Sequence, residues 1–233
     1  MPMSTLLLLP GLMCDASVWA PQVHCQVPDY GLRNSLTAMA QQVLDEAPAP
    51  RFALAGHSMG GRVALEVLRL APQRITHLAL LDTGTHPRAP GEAGDKERAG
   101  RMALLALAQA QGMRTMGQQW LRGMVHPAVL DTPLYEAMLA MLARSSPAQF
   151  AAQIEALLGR PDAAPLLPGI ACPTLVLTGR QDAWSPPAQH EAMAQAIPGA
   201  VLSIVEDCGH MSTLEQAQPV NAALAAWLAR PAA

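Results

Sequence analysis

Apolar residues in this chain fall into short unbroken runs separated by longer stretches of helical spacing. Residues 5–9 read Thr-Leu-Leu-Leu-Leu and stop at Pro10-Gly11, which suits a strand buried on both faces. Runs at 51–55, 75–81, 174–178 and 201–205 have the same character, and a weaker one lies at 24–27. Between them, 35–44 and 59–70 place apolar residues three and four apart; the first ends before Pro48 and Pro50, the second at Ala71-Pro72. Helical patterns also follow 174–178 and 201–205, the last of them running over 220–228. This alternation predicts an α/β chain, with a mostly parallel sheet and helices on both faces.

The rhythm breaks between Gly84 and Pro168. Segments 102–111, 116–124, 133–143 and 147–158 all read as helices, with no strand pattern between them. Thr132 before Pro133 and Ser146 before Pro147 mark two of the starts, each an N-cap residue followed by proline at the first helical position. The pattern therefore predicts a core of two parts, 1–83 and 169–233, interrupted by a helical cap over 84–168.

Composition narrows the partners. The chain has 233 residues, 51% of them hydrophobic, enough to bury one large core carrying an insertion. Net charge is −3 and the charged residues are scattered singly, so the sequence has no basic footprint for nucleic acid and no polybasic membrane patch. A neutral or apolar small molecule is the expected partner, and no positive cluster marks an acidic one. The first residues lack a basic n-region, and their apolar run is too short for a signal sequence or a membrane span, so a cytoplasmic location is expected. Cys14, Cys25, Cys172 and Cys208 form no CxxC pair and are read as reduced, mostly buried thiols; no metal and no cofactor is called for. Nothing in the sequence speaks to oligomeric state.

The candidate chemistry lies in Gly56-His57-Ser58-Met59-Gly60, where a buried strand gives way to a helix. Glycine two before and two after the serine removes the Cβ atoms that would collide as strand and helix approach, leaving the hydroxyl to project from a strained turn. The helix behind it offers free N–H groups and a positive dipole end to an anion forming near Ser58. A serine hydroxyl needs a base, usually a histidine held by a carboxylate. His210, after Asp207-Cys208-Gly209 and the last strand, is the best placed. His190 lies within a helical pattern, and His57 is read as a wall or helix-cap residue because neighbouring side chains at a turn diverge. Asp182, just past the strand at 174–178, is the preferred acid; Asp82, at the end of the strand at 75–81, is the alternative, and Asp207 more naturally caps its own turn.

The order Ser58, Asp182, His210, with a strand–turn–helix elbow and a helical insertion before the acid, resembles the α/β-hydrolase superfamily over nearly the whole chain. Leu9-Pro10-Gly11-Leu12 resembles its oxyanion loop, Gly179-Arg180-Gln181-Asp182 its acid loop and Gly209-His210 its base loop. Gly209-His210-Met211-Ser212-Thr213-Leu214-Glu215-Gln216 resembles the end of small bacterial esterases and enol-lactonases. Pro10 departs from the pattern, since many relatives carry histidine there. The resemblance implies a trimmed sheet of about six strands, ordered 4-3-5-6-7-8 in the family's numbering. It also implies oxyanion N–H groups on Leu12 and Met59, and a serine rather than aspartate nucleophile, which favours acyl transfer over dehalogenase or epoxide hydrolase chemistry.

The implied reaction is cofactor-free cleavage of a small-molecule carboxylic ester, lactone or thioester through an acyl-enzyme. Six of the thirteen methionines fall in the cap, among them Met124 and Met138, beside Trp120; with His126 and Trp184 these are the candidate residues of an apolar acyl pocket. The alternative is a non-hydrolytic use of the same constellation, as a small-molecule receptor, lyase or acyltransferase.

Overall fold

The computed structural model describes residues 5–22 and 26–232. Five parallel strands form one sheet in the order β1-β2-β3-β4-β5: β1 (Leu6–Leu9), β2 (Phe52–His57), β3 (Ile75–Leu81), β4 (Thr174–Gly179) and β5 (Val201–Val205). Every residue of β2, β3 and β4 is buried, which is why they read as continuous apolar runs rather than alternating ones. At the sheet edge β5 is buried only at Val205.

Among the described residues five strands stand where about six were expected. His24 and Cys25 of the weak 24–27 run lie outside the described residues. Gln26 makes a single parallel bridge to Leu7, its carbonyl accepting from the Leu8 N–H at 3.0 Å. The outer side of β1, where the family's fourth strand would add, is thus marked by one residue.

Among the helices, α1 (Leu36–Glu46) opens with the Ser35 side chain accepting from the Ala38 N–H, and α2 (Met59–Leu70) starts at the residue after Ser58. Between β3 and β4 lie α3 (Gly91–Leu121), α4 (Pro133–Ala143) and α5 (Pro147–Leu158); Thr132 and Ser146 cap α4 and α5 as their sequences predict. The two helices expected at 102–111 and 116–124 form one element broken at Gly112, whose φ of 87° departs from the helix. Its start at Gly91 has no sign in the sequence pattern, because residues 91–101 are all polar or small and give these first turns no apolar stripe. Met124 lies beyond its end.

α6 (Pro187–Ala196) joins β4 to β5, and α7 (Ser212–Glu215) and α8 (Ala217–Leu228) follow β5. Right-handed crossovers put α1, α2 and α6 on one face of the sheet. On the other, α8 closes over β3: the Trp227 ring stands edge-on to His77 at 5.7 Å, and His77 Nε2 donates to the Arg230 carbonyl at 2.8 Å. Among the described residues no helix is long and apolar enough to cross a membrane. Because all five strands are parallel, the loops after them collect at one sheet edge, where ligands bind in open α/β sheets.

Candidate active site

Ser58 sits at φ 54°, ψ −116°, a conformation that costs an L-residue of order 1–3 kcal/mol and must be held by its surroundings. Its N–H donates to the Leu81 carbonyl on β3 at 2.8 Å. Its carbonyl accepts from the Gly61 and Arg62 N–H groups at 3.0 and 3.4 Å and from the Thr83 hydroxyl at 2.7 Å. The flanking glycines are required by contact. A Cβ at Gly56 would lie 2.3 Å from the Gly60 carbonyl oxygen, and one at Gly60 would lie 2.2 Å from that of Leu9. Gly60 thus admits β1 as well as the returning helix. The serine side chain makes no capping bond to α2, so its hydroxyl is left for another partner.

That partner is His210. Its Nε2 lies 2.8 Å from Ser58 Oγ, and its Nδ1 lies 2.8 Å from Asp182 Oδ2. With Nδ1–H donating to the carboxylate, Nε2 is the acceptor for the serine proton. The other carboxylate oxygen of Asp182 accepts from the Trp184 and Ser185 N–H groups at 2.8 and 2.9 Å. Burial pushes the Asp182 carboxyl up, but the His210 charge, its hydrogen bond and these two N–H groups outweigh that and hold it below the usual carboxylate value.

The loop carrying His210 is pinned from several sides. The His210 N–H donates to the Met124 carbonyl at 2.6 Å, and the His210 carbonyl accepts from His57 Nε2 at 2.8 Å. Glu215 accepts from the N–H groups of His126, Gly209 and Met211 at 2.7, 3.0 and 2.8 Å, tying the base loop to the chain just after α3. At Gly209 a Cβ would meet the Met124 carbonyl oxygen at 2.4 Å, so this glycine serves close approach. His57 is neither helix cap nor base. Burial, with the nearby His210 charge, lowers it to about 4, so it stays neutral and holds the His210 backbone. The sequence carries no local sign of the Glu215 clamp, whose three partners lie in different segments.

Gly11 lets the loop after β1 reach the serine: a Cβ there would lie 2.9 Å from His57 Nδ1 and 3.2 Å from Ser58 Cβ. Leu12 and Met59 line the same cavity as Ser58. Met59, as first residue of α2, has no intrahelical partner for its N–H, and the Leu12 N–H meets no acceptor among the described residues.

The cavity over Ser58 measures about 340 Å³, a small-ligand size, and Trp120, Met124 and Trp184 line it. Trp184 is 45% exposed, stands edge-on to Trp120 at 6.0 Å and donates from its indole N–H to the Gly123 carbonyl at 2.9 Å. Two candidates fall elsewhere. Met138 is buried among core residues, as the apolar face of a helix packed on others dictates, and His126 turns its ring to accept from the Ala128 N–H at 3.2 Å, outside the cavity lining. The expectation of no positive cluster is also corrected: Arg62, Arg101 and Arg160 line the cavity with Glu97, gathered from separate helices and a loop. Cys14 faces the cavity too, with burial pushing its thiol up to about 12.

The family model described as "Alpha/beta hydrolase family" matches residues 6–223. The chain belongs to the alpha/beta hydrolase family. Over 221 residues it is 30% identical to a 2-hydroxy-6-oxononadienedioate/2-hydroxy-6-oxononatrienedioate hydrolase of Escherichia coli O139:H28, covering 88% of this chain and 72% of that protein. Among solved structures, a thermophilic esterase from Thermogutta terrifontis superposes with a TM-score of 0.85 at 27% identity, covering 97% of this chain and 89% of the other. An enol-lactonase from Burkholderia xenovorans LB400, at 24% identity and covering 97% and 92%, shares the fold with a TM-score of 0.80. Family membership, the Escherichia coli hydrolase and the Thermogutta terrifontis esterase support hydrolase chemistry for this chain.

Proposed function

We propose that the protein is a serine hydrolase that cleaves a small-molecule carboxylic ester, or the related lactone or thioester, through an acyl-enzyme. The observation that carries this reading is the chain of two 2.8 Å contacts from Ser58 Oγ through the His210 ring to Asp182, beside the cavity of about 340 Å³ that Ser58 lines. In the proposed cycle His210 takes the Ser58 proton as Oγ attacks the carbonyl carbon. The Leu12 and Met59 N–H groups receive the oxyanion, and Asp182 holds the ring and its developing charge. His210 then returns the proton to the leaving group, and water repeats the sequence to release the acid. The helices of 84–168 act as the cap that excludes bulk water and supplies Trp120 and Met124 to the acyl pocket.

A second reading is favoured by the Escherichia coli relative, named as a hydrolase of 2-hydroxy-6-oxononadienedioate. The same serine, base and oxyanion donors can serve cleavage of a carbon–carbon bond next to a carbonyl. Purified protein assayed on p-nitrophenyl esters of increasing acyl length, and in parallel on 2-hydroxy-6-oxononadienedioate, separates the two. Ester turnover lost in Ser58→Ala supports the first reading. Turnover of the diacid alone favours the second, and turnover of neither points to a receptor or other non-hydrolytic role.

A further inference from the structure

The lining of the cavity over Ser58 includes a cluster of charged side chains. Arg62 lies on α2, one turn beyond the serine: its N–H donates to the Ser58 carbonyl at 3.4 Å, so the two residues are offset by about 6 Å along the helix axis. Arg101 comes from α3, and Arg160 follows α5. All three line the cavity, and a single carboxylate, Glu97, stands among them. Glu97 is already engaged twice. Arg160 binds it through both terminal nitrogens at 2.7 and 2.8 Å, and Arg101 Nε donates to it at 3.0 Å.

Arg62 has no such match. Its one side-chain hydrogen bond among the described residues goes to the His86 carbonyl at 2.9 Å, leaving most of its five donors without a protein acceptor. The side chain is half-buried and lines the cavity. Gly84 makes room for it, since a Cβ there would lie 3.2 Å from Arg62 Nη2. Three guanidiniums against one carboxylate leave two positive charges in excess in this cluster. The other carboxyl of the lining, Asp82, is turned to the Ser212 hydroxyl and the Gly179 N–H, with burial raising its pKa, while Cys14 has its thiol pushed up to about 12 and His57, His86 and His210 can add no negative charge. Burial first, then the charges of Arg160 and Arg101, weaken proton binding on Arg62 to about 9 against the pull of Glu97, the pattern of a cation short of a counter-ion. A buried or half-buried guanidinium without a partner is costly, and a planar anion that accepts two N–H bonds relieves that cost.

We propose that Arg62, supported by Arg101 and Arg160, binds a carboxylate carried by the substrate itself, with the carbonyl to be attacked held at Ser58 a few bonds away. The substrate class is then a short carboxylic acid that also bears the ester, lactone or ketone to be cleaved, rather than a neutral ester. This rests on the reading of Ser58 as nucleophile. Trp120, Leu121, Met124 and Leu142 give the same cavity apolar lining.

The test uses two matched esters: mono-p-nitrophenyl adipate, which carries a free carboxylate, and its methyl ester, which does not. Wild type is expected to show a kcat/KM for the anionic ester at least about tenfold above the neutral one. Arg62→Gln is expected to lower that ratio by about tenfold to a hundredfold, mainly through KM, and Arg62→Lys to lower it less, because the charge stays but the planar fork is lost. Because each variant is its own control, a general loss of folding cannot imitate a change in the ratio. A wild-type ratio of one or below, or a ratio within twofold of wild type in Arg62→Gln, overturns the proposal. If wild type hydrolyses neither ester, the ester-hydrolase reading fails instead, and calorimetric binding of adipate decides the anion site. Binding that is weakened by raised salt and lost in Arg62→Gln supports it, and no binding to wild type overturns it.

Discussion

β3 and β4 each run into an aspartate at the same edge of the sheet, and the two side chains meet opposite fates. Asp82, directly after β3, and Asp182, three residues past β4, are both buried. Asp182 faces the His210 ring and two free N–H groups of its own loop. Asp82 shares a hydrogen bond with the Ser212 hydroxyl and accepts from the Gly179 N–H at 3.2 Å, and the neutral His57 ring is 3.6 Å away. Desolvation is the largest influence on both, yet Asp182 is held below the usual carboxylate value and Asp82 well above it, the charge of Asp182 adding to the burial of Asp82. Position at a strand end makes an aspartate a candidate. The donors that meet it decide whether it works as an anion.

The sharpest way to break this comparison is to neutralise each aspartate in turn. Asp182→Asn is expected to lower kcat by roughly 10⁴, because the amide no longer fixes His210 in the tautomer that accepts the serine proton. Asp82→Asn replaces a carboxyl whose proton burial already holds more tightly than usual, bonded to Ser212 and Gly179 rather than to His210 or Ser58, and should change kcat by less than about tenfold, measured on the same ester. The reverse ranking would exchange their roles.

An intermediate effect is expected at Glu215, which reaches the chemistry only through the loop it holds. Glu215→Ala frees the N–H groups of His126, Gly209 and Met211. A displacement of the imidazole by an ångström costs on the order of 10² in kcat. Glu215→Gln keeps one acceptor oxygen and should recover part of the loss. Equal activity in both variants and wild type would show that the loop needs no clamp.

The smallest effects lie in stability against pH, where the two aspartates pull in opposite directions. Asp82 keeps its proton in the folded state at pH values where the unfolded chain releases it, near 3.9. Its contribution is therefore full below that value and declines as pH rises toward the folded pKa, by up to about 1.4 kcal/mol per pH unit. Asp182, with a lowered pKa, stabilises above about 4, and that contribution is lost as pH falls through the folded value. Urea unfolding from pH 3 to 8 should show Asp82→Asn gaining on wild type as pH rises, and Asp182→Asn losing less than wild type on the acid side.

Much of this was legible in the chain because each signal was local. Apolar runs buried on both faces, the Thr132-Pro133 and Ser146-Pro147 starts, and the glycines around Ser58 are contiguous, and each acts through its own neighbours. What escaped depends on residues far apart in sequence. Arg62, Arg101 and Arg160 look like isolated surface charges until α2, α3 and the end of α5 converge on one cavity. The first turns of α3 carry no apolar stripe because that part of the helix is mostly exposed. Met138 shows the converse error: methionine reads equally as pocket wall and core filler, and only packing separates the two.

The most direct test of the account is covalent labelling of the nucleophile. Wild-type protein treated with a fluorophosphonate and mapped by peptide mass spectrometry should carry one adduct, on Ser58, formed in step with loss of ester turnover. Ser58→Ala should keep its fold by circular dichroism while losing both the adduct and nearly all turnover. An adduct on another serine, or turnover retained in Ser58→Ala, would contradict the account.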